Sequence, residues 1–137
     1  MASLSIPKKV YQDDFSPGRG NALQACVASM FGLSLSDVPN FITMPEGYET
    51  AIKNFYLQQK KYGKCVKIKI DGSTTNISDE YNCMICILRG KSPRGDFGHV
   101  VVANHVANGK FEMVHDPHPE ATYLDSKEMY GWCIFFV

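Results

Sequence analysis

The sequence carries no excess of either charge: Lys and Arg number 14, and Asp and Glu also number 14. Nucleic-acid and anionic-membrane binders normally show a basic surplus, so neither partner is expected. Long apolar runs are missing as well. No stretch approaches the ~18 residues of a membrane span. Met1 to Val10 holds Lys8 and Lys9 but lacks the apolar segment of a secretory signal. Repeats and low-complexity tracts are absent, which excludes a repeat architecture. The cysteine count is odd, five in all (Cys26, Cys65, Cys83, Cys86 and Cys133), and does not read as a disulfide framework. With 137 residues and 45% hydrophobic content, the chain suits one domain, 1–137, burying roughly 68% of its unfolded surface in one core. Together these features predict a soluble, reduced, cytoplasmic domain.

Turn and period signals organise the chain. Gln12 to Gly20, with Asp13, Asp14, Ser16, Pro17, Gly18 and Gly20, reads as a loop. From Ala22 to Phe31, apolar Leu23, Cys26, Val27, Met30 and Phe31 recur at helical spacing. Asn21 suits its N-cap and Gly32 its C-terminal stop. Most other positions there are small or apolar, so burial on most sides is expected. Ser34 and Asp37 predict a short second helix ended by Pro39. A third spans about Tyr48 to Lys61, with Ile52, Phe55 and Tyr56 inward and Gly63 closing it. The period then changes to two. Cys65, Val66, Ile68 and Ile70 interleave with lysines as a half-exposed strand, and Asp71-Gly72 turns. Cys83 to Leu88 reads as a central buried strand, Arg89 to Gly98 as a loop, and His99 to Ala103 as a strand. Asn108-Gly109 then signals a hairpin into Lys110 to Val114. Gly131 to Val137 closes the chain as a last strand. Helices first and an antiparallel sheet after make the fold class α+β.

Candidate chemistry lies at the ends of these elements. A helix N-terminus presents unpaired N–H groups and a positive dipole end, which lower a cysteine pKa from ~8.5 toward ~3.5–7.5. At the head of the first helix the sequence has Ala22. About the Asn108-Gly109 turn, facing residues sum to about 217, which brings His99 within two positions of Asp116 across the ladder. A carboxylate there would orient the imidazole and stabilise its cation, as in nucleophile–base–orienter triads.

The segments Val10-Tyr11-Gln12, Asn21-Ala22-Leu23-Gln24-Ala25-Cys26-Val27-Ala28-Ser29, Gly98-His99-Val100-Val101-Val102 and His115-Asp116-Pro117 together resemble papain-like cysteine peptidases. The resemblance is closest to bacteriocin-processing peptidases of the double-glycine type. Gly32 to Phe41 is similar to the stretch that follows the active-site helix in small proteins of that clan. The resemblance implies a papain-like fold, with the active-site helix packed on an antiparallel sheet. It implies a peptidase or amidase acting through a Cys-His-Asp triad on a peptide or amide-containing small molecule, or a transpeptidase or ligase using the same triad. Residue by residue, it assigns Gln12 to the oxyanion hole, Ala22 to the nucleophile position, His99 to the base and Asp116 to the orienting acid. Gln12 stands ten residues before position 22, with Ser16 to Gly20 as the additional residues. Ala22 has no heteroatom with which to attack. Three explanations stay open: an introduced Cys-to-Ala substitution, a natural pseudoenzyme that keeps the groove for binding, or Cys26 as the nucleophile one turn on. Cys26 lies beyond most of the dipole's reach on an apolar face, where a cysteine is usually a small hydrophobe.

Other motifs read as structure. Cys83-Met84-Ile85-Cys86 has CxxC spacing, but in a strand its cysteines point to opposite faces and no second pair accompanies them, so core residues are expected. His99, His105, His115 and His118 show no HExxH or paired-carboxylate pattern, and neither metal nor other cofactor is expected. His105 and His118 read as loop histidines. Lys60, Lys61, Lys64, Lys67 and Lys69 read as a solvated face. Gly18-Arg19-Gly20 lacks the preceding strand and the lysine of a phosphate loop. Trp132 to Phe136 reads as sheet core.

Overall fold

The computed structural model describes residues 6–16, 18–59, 63–70 and 77–137. Helix α1 spans Ala22–Phe31 and α2 Tyr48–Gln59; strands β1 to β5 span Cys65–Lys69, Met84–Lys91, Gly98–Ala107, Lys110–His115 and Trp132–Phe136. The strands form one sheet in the order β1-β5-β2-β3-β4, and every pairing is antiparallel. The fold is α+β, with helices packed on a five-stranded antiparallel sheet. Pro17, Lys60, Lys61 and the Asp71-Gly72 turn lie outside the described residues.

Each strand contributes to two apolar layers, because successive side chains point to opposite faces. On the helix side Ile87, Val102 and Ile134 pack with Cys26 and Val27 of α1 and with Ile52 and Phe55 of α2. On the other side Cys86, Leu88, Val101 and Phe135 pack against Ile77 and Leu124. Burial on both faces is why β2 reads as an unbroken apolar run rather than an alternation. Buried Leu23, Ala25, Cys26, Val27, Ala28 and Ser29 leave α1 little solvent-facing surface.

Several sequence expectations need correction. Arg89, Gly90 and Lys91 are not loop: they extend β2 by pairing with Val100, His99 and Gly98. The loop therefore shrinks to Ser92 through Phe97. The second helix is only a 3-10 turn, Leu35–Asp37, followed by another at Phe41–Thr43, because Pro39 arrives before a full α-turn can form. Asn21 precedes α1 without a capping hydrogen bond. Its Oδ1 instead accepts from the backbone N–H groups of Asp13 and Asp14 at 3.0 and 2.9 Å. His105 is fully buried on β3, its Nδ1–H donating to the Tyr81 carbonyl and its Nε2 accepting from the Gly109 N–H. Cys83 is exposed at φ +59° just ahead of β2, not in the core. Lys67 is not freely solvated: its ammonium donates to the Tyr48 hydroxyl at 2.7 Å and pairs with Glu49 at 3.4 Å. Gly32 ends α1 in the left-handed region as expected, at φ +69°. The hairpin also forms, with Asn108 and Gly109 at φ +52° and +76°, the backbone of a type I′ turn.

Candidate active site

The β3–β4 hairpin sets the first two residues. Val102 faces His115 across it, a sum of 217, and a register shift follows between Val102 and Ala103. His99, second in β3, and Asp116, directly after β4, thereby meet: His99 Nε2 lies 2.7 Å from Asp116 Oδ1. Both are buried. Asp116 also accepts from the His118 N–H at 2.9 Å and the Tyr123 N–H at 2.8 Å. Burial pushes its carboxyl up, but the bond from His99 and the two backbone bonds outweigh that, and it titrates below the usual carboxylate range. An ionised Asp116 fixes the His99 proton on Nε2 and leaves Nδ1 as the basic nitrogen. His118 stands edge-on to His99 with ring centroids 6.4 Å apart. Burial and the nearby Arg94 charge hold its pKa below the ordinary value, which favours a neutral neighbour for His99.

Gln12 reaches the same place from the N-terminal segment. The Val10 carbonyl accepts from His115 Nε2 at 2.8 Å, and the Val10 N–H donates to Ser29 of α1 at 2.9 Å. The Gln12 N–H then donates to the Pro117 carbonyl at 3.0 Å. These bonds tie residues 10–12 between α1 and the strand that delivers Asp116. The Gln12 side chain is buried. One Nε2 hydrogen goes to the Asp14 carbonyl at 3.1 Å, and the other has no partner among the described residues. Its Oε1 is buried with no partner among the described residues.

Gln12, Ala22 and His99 all line one cavity of about 360 Å³, within the roughly 300–1,000 Å³ of small-molecule sites. Gly18 and Gly20, in the loop that had no functional reading, line it too. So do residues that sequence reasoning missed. Tyr48 and Trp132 stack at 5.6 Å on its wall, and Phe15, Ile42 and Phe97 are half exposed at its rim. Among the described residues Arg89 is the one fully charged residue that lines it. The available signals were a lone tryptophan and a cation ending an otherwise apolar strand run.

The cysteines stand elsewhere. Cys26 is fully buried, its thiol donating to the Val100 carbonyl at 3.7 Å. Burial pushes that thiol well up, and the negative Asp116 adds to the shift, the opposite of what a nucleophile requires. Burial likewise raises Cys86, and raises Cys133 to about 12. All five cysteines are free. Among the described residues no group of three or more His, Cys, Asp or Glu side chains is placed to hold a metal, and no single helix is long and apolar enough to cross a membrane. Comparison of the chain with family models, curated proteins and solved structures gives no match.

Proposed function

We propose that the chain is a papain-like acyl-transfer domain of the Cys-His-Asp type, related to bacteriocin-processing peptidases, in which alanine occupies the nucleophile position. The observation that carries this reading is the buried His99–Asp116 pair at 2.7 Å, whose histidine lines the same cavity as Ala22, first residue of α1. With cysteine at position 22, His99 Nδ1 takes the thiol proton and the thiolate adds to an amide carbonyl. The C–N bond then breaks as His99 returns the proton to the leaving amine, and water hydrolyses the resulting thioester. A second amine in place of water makes the same site a transpeptidase or ligase. Asp116 holds the Nε2–H and stabilises the imidazolium. In this reading the second Gln12 Nε2–H and the position-22 N–H stabilise the developing oxyanion, the role the resemblance assigns to Gln12, each such donor being worth ~10²–10³ in rate. Free cysteines throughout suit the reducing, cytoplasmic setting a thiol nucleophile needs.

Ala22 itself favours a second reading, a module that binds a peptide or small amide without cleaving it. One experiment separates the two. In a Cys83→Ser background, which removes the exposed thiol, Ala22→Cys is expected to react with iodoacetamide at position 22. Near neutral pH the rate should exceed that of the same protein carrying His99→Ala by about tenfold or more. Equal rates, or labelling that moves to Cys26, overturn the triad. An inert position 22 in a protein that still binds peptide leaves the binding module.

A further inference from the structure

Arg89 stands in a cross-strand row with Val100 on β3, Trp132 on β5 and, beyond Trp132, Lys69 on β1. Residues directly opposite one another share a sheet face, so Arg89 and Lys69 flank the indole on the side where the cavity lies. Lys67, on the same strand as Lys69, is already held by the Tyr48 hydroxyl at 2.7 Å and by Glu49 at 3.4 Å, a carboxylate it shares with Lys53. Arg89 is not: among the described residues no carboxylate forms an ion pair with it, and no acidic residue lines the cavity. Its guanidinium lies against Gly98, where a β-carbon would collide with it. That position is immediately before His99, the residue that hands a proton to the leaving amine. An unpaired guanidinium beside an aromatic wall is suited to a planar carboxylate attached to an apolar group.

From this we infer that the site takes an amide whose leaving amine belongs to an amino acid with a free carboxylate, held by Arg89, while the Tyr48–Trp132 wall takes an apolar side chain. The inference rests on the acyl-transfer reading for which side of the amide leaves, but its test needs no turnover. Trp132 is the only tryptophan and lines the cavity, so its fluorescence reports occupancy of the chain as it stands. The probes are N-acetyl-Phe-Leu with a free C-terminal carboxylate and the same peptide as its C-terminal amide. At low salt the acid is expected to bind about fivefold or more tighter than the amide, with the gap shrinking toward ~1 M salt. Arg89→Gln is expected to close the gap with little change in thermal midpoint, since Arg89 is exposed. Equal affinities, no binding of either peptide, or a gap that survives in Arg89→Gln overturns the inference. An Arg89-dependent gap with an inert Ala22→Cys keeps the carboxylate site and removes the acyl-transfer reading. His99-dependent labelling without a gap does the reverse.

Discussion

Asp116 is the residue on which site and stability converge. Its carboxylate accepts three hydrogen bonds in a buried position, and its folded-state pKa is lowered. A lowered carboxyl contributes stability that is fully present above the unfolded value, ~3.9, and is lost as pH falls through the folded one. Asp116→Asn should therefore cost about 1–3 kcal/mol at pH 7, because an amide N–H then meets backbone donors. Urea titrations at pH 7 and at pH ~3 should show that gap narrowing in acid; a gap that holds constant would contradict the sign. The thiols give a second prediction at this scale. Folded protein titrated with a disulfide reagent should react fast at Cys83, the exposed thiol, and only after denaturation at Cys26, Cys86 and Cys133, which are buried. Fast reaction at Cys26 would place a nucleophile where the structure has a core residue.

The hairpin is the element that builds the dyad. Its two turn residues both have positive φ, which asparagine and glycine tolerate and other residues resist. The Gly109 N–H also donates to His105 Nε2 at 3.0 Å, anchoring the turn to the core. Gly109→Val should cost about 1–2 kcal/mol or more, since a β-branched residue is forced into the left-handed region. In the Ala22→Cys protein it should also slow His99-dependent labelling, because the hairpin register fixes His99 against Asp116. Unchanged melting would show that the turn is not needed to close the ladder. This hairpin was legible in sequence because Asn-Gly is a local signal with a local cause. The facing ends of β2 and β3 were not. Gly98, Lys91 and Arg89 look like loop residues by composition, and only the partner strand's hydrogen bonds make them β.

At the scale of the whole molecule, the last strand sits inside the sheet. β5 pairs with β1 on one side and β2 on the other, and it supplies Ile134 to one apolar layer and Phe135 to the other. Removing residues 132–137 would leave β1 without a partner and open both layers. Such a truncated chain should lose its cooperative thermal transition altogether, as followed by circular dichroism. A retained transition would mean that β2, β3 and β4 with α1 suffice for a core.

Sequence alone determined what depends on near neighbours: the span of α1, read from three- and four-residue spacing and a glycine stop, the Asn108-Gly109 turn with the proximity of His99 to Asp116 that it implies, and the two-sided burial of β2. These follow from backbone preference and side-chain period, which act within a few residues, whereas Gln12 and Ala22 were singled out only by resemblance to a family. Tertiary structure alone decided that Asn21 holds a loop rather than caps a helix, and that His105 is a satisfied core residue. It also decided that Arg89, Tyr48 and Trp132 meet at one cavity. Those outcomes depend on which distant segment arrives to satisfy a hydrogen bond or fill a face. Strand order β1-β5-β2-β3-β4 sets that, and no local pattern encodes it.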